Sequence, residues 1–459
     1  MDVQTDVDTA VESRPLPPRV PGLPFLGNAR ELTQDLIGFI VAQYKRLGPI
    51  FRIHVPTGDM VILAGPDANV FVTQQGADKF SSREAWYRYG CEFGVEEQIQ
   101  DIDGELHTRM RKLLKPSYSA TMFLSDIPLL LEIAQNVVNR LPVGEEIAAL
   151  SLFRLIVTEQ LGRALANHAP GDTLDSMITT IRTALNVYVN KQSPAFLLRM
   201  PSYQHAKRHF QLMGRGIVAE HRITVRETPD LVDTILSASK KDEFKEVLGN
   251  EAQICYAATG PFIAGLDTVA NECTFMLYEL LQHPTVLERC MEEADHLFAN
   301  GVPEVSHIRS HGILHDAMME TLRLHSIAPV VDRTAAKTFE FAGYRVDKGQ
   351  QVLIATTAAH FLPEIFPDPY TFDITRYSES RKEHKKRGAY FPFGIGTHLC
   401  LGAGAAEAQI VLVMAVVLHM VRLERMKPEE KLRIKNDPTP TFGDKFRVRI
   451  TERRHHTVL

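Results

Sequence analysis

The 459-residue sequence lacks the pieces that several common functions require. Its five cysteines, Cys91, Cys255, Cys273, Cys290 and Cys400, are scattered, odd in number and form no C-x-x-C pair. This argues against a disulfide framework or a zinc site and suits a reducing compartment. The net charge is only -5, with a pI near 6.4, so nothing global attracts nucleic acid or an anionic membrane, and any basic docking site has to be local. No flavin, nucleotide or iron–sulfur motif lies in the chain. The first twelve residues, Met1 to Glu12, carry Asp2, Asp6, Asp8 and Glu12 but no apolar run, and read as a disordered tail rather than a signal peptide or membrane anchor. The proline-rich segment from Pro15 to Pro24 reads as a stiff extended lead-in.

A hydrophobic content of 44% is enough for a large core, but length alone does not choose between one big domain and two to three ordinary ones. The most informative stretch runs from Phe391 to Gly402 and holds Cys400 in a Gly-rich loop that leads straight into an apolar helix. Gly396 permits a tight turn. Gly402, Ala403, Gly404, Ala405 and Ala406 keep the following helix thin enough to lie against a flat macrocycle. Backbone N–H groups at a helix start stabilise negative sulfur and lower a thiol's pKa. Cys400 therefore reads as a thiolate ligand to haem iron, with a structural cysteine in a turn as the bland alternative.

Other stretches stand out as well. Asp103 to Pro116 has helical spacing and places His107 and Arg111 four apart, on one face. Gln253 to Gln282 reads as one long apolar helix, kinked at Gly260-Pro261, with Asp267 and Thr268 in its middle. An acid and an alcohol there are costly if buried without work to do; the plain alternative is a back-bonding threonine beside a solvated aspartate. Glu320 and Arg323 share a helix face, and an Arg-containing stretch from Phe366 to Tyr377, with Arg376, precedes the cysteine loop. Ser326 to Arg333 reads as an apolar strand ending in a cation. Ile50 to Val55 and Met60 to Ala64 read as a hairpin, and Phe339 to Ile354 as a second. The segment from Ser81 to Gln100 lacks a clean period and reads as an irregular aromatic loop.

Taken together and in this order, these motifs resemble the cytochrome P-450 family. The resemblance implies a mainly α fold with a small β region: a flexible lead over residues 1–20, then one catalytic domain over 21–459, with haem b between the long oxygen-binding helix and the cysteine-loop helix. It implies Cys400 as axial ligand, Phe393 packing beside the sulfur, and Gly396, Gly402 and Gly265 making room for the cofactor. His107, Arg111, Arg333 and His398 are the expected propionate partners, and Thr268 and Asp267 the proton handlers. Glu320, Arg323 and Arg376 are expected to form a structural triad, and the Pro-marked break near Ser193-Pro194 and Met200-Pro201 a substrate lid. Trp86, Phe93, Phe262, Ile263, Ala264, Ile327, Val330 and Phe442 are the expected substrate walls, with a turn at Thr441-Phe442-Gly443 dipping into the pocket.

The activity so implied is insertion of one oxygen atom from O2 into a lipophilic molecule of fatty acid, terpenoid or steroid class. Electrons would come from NAD(P)H through a separate ferredoxin or flavodoxin and its reductase, with Arg381 to Arg387 and Arg109, Lys112 and Lys115 as a candidate basic patch. No nucleic-acid partner and no transmembrane anchor are implied, and the expected location is cytoplasmic. The alternatives on the same fold are a peroxide-driven peroxygenase, an isomerase, or a non-catalytic haem-thiolate sensor.

Overall fold

Alternation of apolar residues builds the first structured region. The computed structural model describes residues 11–224, 226 and 228–458, so most of the acidic tail, Met1 to Ala10, lies outside the described residues. The chain forms two compact units interleaved in sequence: Met1–Arg88, Ile99–Thr108 and Ala328–Cys400 make the first, and Tyr89–Gln98, Arg109–Ile327 and Leu401–Leu459 the second.

The first unit is organised by a five-stranded sheet in the order Ile50–Val55, Gly58–Ala64, Gln351–Ala355, Val331–Ala335, Phe80–Ser81. The expected hairpin is present, in register from Ile50 opposite Leu63 to Val55 opposite Gly58. Gln351–Ala355 departs from the second expected hairpin: it joins this sheet, parallel to Gly58–Ala64, while Phe339–Phe341 and Tyr344–Val346 pair only with each other. The expected strand from Ser326 starts only at Val331. The proline lead-in lies along the sheet edge, with Arg52 N donating to Pro18 O and Val20 N to Arg52 O, both at 2.8 Å. Val61, Leu63, Phe71, Val72, Phe339, Val352 and Ile354 form the core of this unit, and Ile395 from the cysteine loop is buried among them.

The Ser81–Gln100 segment is irregular only in part, over residues 93–100. Arg83–Glu92 is a helix, and the i, i+4 pair Tyr89 and Phe93 brings its rings to 5.2 Å. Charged residues between the aromatics hide that spacing in the sequence, while tertiary burial of Tyr89 and Gly90 supplies the driving force.

The second unit is helical, with a three-stranded sheet of Glu146–Ala148, Arg447–Arg453 and Val421–Arg425. Ala149–Ala166 packs along Gly260–Gln282. At Gly265 a Cβ would come 2.6 Å from Leu161 Cδ1, so the glycine eases this helix–helix contact. The expected single helix from Gln253 is two, Glu251–Ala258 and Gly260–Gln282, broken at Thr259. Pro261 falls in the first turn of the second helix, where its missing N–H has no intrahelical acceptor to lose, so the chain starts afresh instead of kinking. The break around Pro194 and Pro201 is present, between a π turn at Leu185–Val189 and the helix Pro201–Ile223. Ala120–Asn139 and Ala403–Met420 are long and apolar enough to cross a membrane by composition, but 78% of the latter's apolar window is buried inside the protein, as in a core helix.

Candidate functional site

In the first unit, the cysteine loop is shaped by Gly394 and Gly396, at φ 81 and 71, and closed by Cys400 N donating to Phe393 O at 2.8 Å. Ile395 anchors it in the core, Phe393 is half-buried, and Cys400 is exposed. Cys400 is thus not a buried core thiol. The helix Ala403–Met420 begins three residues later. At Gly402 a Cβ would meet Tyr118 Cδ1 at 3.7 Å, an ordinary contact, so protein packing does not itself demand glycine there.

Arg333, on the strand Val331–Ala335, is 9% exposed. Its one hydrogen bond runs from Nη1 to Asp332 O at 2.7 Å, and it has no ion-pair partner among the described residues. Burial lowers its pKa, while the charges of Asp103 and Asp332 oppose that. A buried guanidinium without a paired carboxylate suits an anionic ligand group.

His398 lies in the same unit and shares a 2.8 Å hydrogen bond between Nε2 and Asp103 Oδ1, and its ring stacks on His107 with centroids 3.9 Å apart. Burial pushes the Asp103 carboxyl up, but hydrogen bonds from His398 and Ser81 hold it below its ordinary value. Asp103 carries no signal in the sequence, because 295 residues separate it from its partner. Arg111, half-buried, follows His107 by one helical turn.

In the second unit, Gly260–Gln282 is buried from Pro261 to Leu280 except for Ala264, Gly265, Thr268 and the half-buried Tyr278. Ala264 is exposed and Thr268 half-buried, one turn apart, so they make an accessible stripe with one hydroxyl on it. Thr268 Oγ1 donates to Ala264 O at 2.7 Å. Asp267 is neither solvated nor beside that hydroxyl: Arg154 donates to its Oδ1 from Nε at 2.7 Å and lies within 2.6 Å through Nη2. The other oxygen, Oδ2, is buried with no hydrogen-bond partner. An arginine inside the apolar stretch of residues 152–157 was the available signal for Arg154.

The expected wall residues divide. Phe262 and Phe442 are core residues: Phe262 is fully buried beside Gly162, and Phe442 packs against Phe275 at 5.0 Å and Tyr278 at 4.6 Å. Phe93 is buried against Tyr89, Phe210 and Tyr256, and Ile263 is buried. Trp86, Ile327 and Val330 are half-buried.

Glu320 receives Arg323 Nε and Nη2 on its two oxygens, both at 2.8 Å. In the first unit, Arg376 donates to Glu383 Oε2 at 3.0 Å and to the carbonyls of Pro367, Asp368 and Thr371. Glu383 was hidden inside the basic run. Arg381 pairs with Asp373 and Glu383, and Lys386 donates to Ile365 O at 2.6 Å, so the internal pairs consume part of the charge, while Lys385, Lys386 and Arg387 are exposed.

Residues 17–445 match the family model described as Cytochrome P450. The chain belongs to the cytochrome P450 family. It is 27% identical over 425 residues to a sterol 14alpha-demethylase of Mycolicibacterium vanbaalenii, covering 88% of this chain and 90% of that one. An abscisic acid 8'-hydroxylase of Solanum lycopersicum is 25% identical over 439 residues, covering 93% and 90% respectively. A retinoic acid-bound cyanobacterial P450 superposes with a TM-score of 0.81 at 21% identity, over 95% of this chain and 99% of its own. P450 membership makes the protein a haem-dependent monooxygenase, and the mainly α fold with small sheets agrees with the solved P450 structures.

Proposed function

We propose that the chain inserts one oxygen atom from O2 into a lipophilic small molecule, with Cys400 as the thiolate ligand of haem b. Thiolate-ligated haem supplies O2 activation, the electron-rich sulfur favouring O–O cleavage. The observation that carries the assignment is the exposed Cys400 on a glycine-shaped loop fastened to the core by Ile395. Arg333, His107 and His398 in the first unit would hold the propionates, the first through its buried charge, and the family resemblance gives Arg111 the same role. The names of the relatives favour a steroid or terpenoid substrate over a fatty acid.

Proton delivery falls to Thr268, the one hydroxyl on the accessible stripe. Its proton sits on the Ala264 carbonyl and leaves it by rotation about χ1. Arg154 holds Asp267 in a buried ion pair, so the acid serves the relay only when that pair opens. Replacing Thr268 with alanine is expected to leave substrate binding near normal and NAD(P)H consumption intact. Product should fall roughly 10²-fold, the low end of a positioned proton donor's contribution, with hydrogen peroxide released instead. Full coupling of NAD(P)H to product in that variant, or a wild type that works only with added peroxide, would move the peroxygenase reading ahead.

Electrons arrive from a separate ferredoxin or flavodoxin, docked through Lys385, Lys386 and Arg387. Reversing these three to Glu is expected to slow reduction by an acidic partner about tenfold at low salt, and less at high salt, while dithionite reduction is unchanged. Equal partner kinetics in variant and wild type would remove the surface from consideration.

A further inference from the structure

Among the described residues, three groups of histidines and carboxylates come close enough to share a metal ion, and their hydrogen bonds separate them. In the first, Asp295 is already neutralised by Arg454 at 2.6 Å and bound by His419. In the second, both ring nitrogens of His221 are engaged, by Ile217 O and Asp230, and Asp230 caps a helix. The third, His311, His315 and Asp316 at the start of the helix Ile313–Leu324, has no side-chain hydrogen bond among the described residues. His315 Nδ1 is buried without a hydrogen-bond partner and lies 3.7 Å from Asp316 Oδ1, and the two imidazole rings meet edge-on at 4.5 Å.

We propose that His311, His315 and Asp316 bind a divalent transition-metal ion of the zinc class, a site separate from the haem chemistry. Ligands about 2.0–2.1 Å from a tetrahedral zinc stand roughly 3.4 Å from one another. The gap between His315 and Asp316 nearly meets that, and all three ligand atoms lie within 4.8 Å of one another. His311 is exposed, so rotating it inward disturbs no core packing. Two imidazoles select zinc, nickel, cobalt or copper over calcium and magnesium.

The surroundings favour a cation. Glu293 caps the helix by accepting from Leu314 N at 3.0 Å, and Glu407 comes from the helix after the cysteine loop. Burial raises the Glu407 pKa, with His315 and Arg309 pulling it down, which places these groups within electrostatic reach of one another. Asp316, Glu407 and Glu293 bring carboxylates to this region, and Arg309 a cation. A bound ion ties the His311–Gly312 turn to the helix whose last turn carries Glu320 and Arg323, so it raises the melting temperature by linkage.

The test uses untagged, haem-loaded, chelator-washed protein titrated calorimetrically with zinc chloride in excess magnesium. One zinc per chain is expected, bound at least tenfold more weakly by His311→Ala and by His315→Ala, and unchanged in His455→Ala, which alters the first cluster. The exposed His311→Asn variant repeats the loss without a cavity. The proposal is overturned if the wild type takes up no zinc, if His311→Ala and His311→Asn bind as the wild type does, or if His455→Ala alone abolishes uptake.

Discussion

Cys400→Ser protein, reduced under carbon monoxide, is expected to lose entirely the red-shifted absorption band that marks thiolate ligation, and its monooxygenase activity with it. Serine keeps the size and shape of the side chain, so the loop stays closed by the Cys400 N to Phe393 O bond and held by Ile395. What changes is the ligand: an alcohol near neutral pH offers no stable anion, whereas a thiol of ordinary pKa ~8.5 is brought into range by a nearby helix start. None of the other four cysteines offers a substitute, since Cys273 and Cys290 are buried thiols whose pKa burial raises, and Cys91 and Cys255 lie outside any such loop. If the wild type displayed the spectrum of histidine-ligated haem, the assignment of Cys400 would fall.

The second large effect concerns stability. Glu320 and Arg323 have side chains 0% exposed and meet through two 2.8 Å bonds. Removing one partner from such a pair strands a charge away from water and costs about 3–5 kcal/mol, a large share of the roughly 5–15 kcal/mol that holds a domain together. Glu320→Ala is expected to accumulate as haem-free or insoluble protein, with a melting temperature well below the wild type. Arg323→Lys tests geometry separately, because lysine keeps the charge but cannot fill both carboxylate oxygens with a planar fork. Wild-type haem content and melting in Glu320→Ala would show that the pair is not a structural lock.

Local spacing explains what was legible without coordinates. The Phe393-Gly396-Cys400-Gly402 pattern, the Glu320-x-x-Arg323 pair and the hairpin around Pro56 to Asp59 are set by neighbours within a dozen residues, and each formed as expected. The helix at Arg83–Glu92 escapes a reading of the sequence because its charged positions mask the aromatic period, and burial of Tyr89 and Gly90 decides the outcome. The expected kink at Pro261 fails for a related reason: proline is equally at home in a first turn, and only the break at Thr259 tells which it is.

The sequence by itself determined the family, the glycine-shaped cysteine loop and the hydroxyl-bearing helix. Only the tertiary structure decided the company these groups keep: Arg154 on Asp267 across 113 residues, Asp103 on His398 across 295, Glu383 on Arg376, and Leu161 filling the space beside Gly265. A repeating backbone turns short spacing into a shared face, so near neighbours can be read from the chain. Opposite charges far apart in sequence carry no such period, and burial pairs whichever of them the folded backbone brings together.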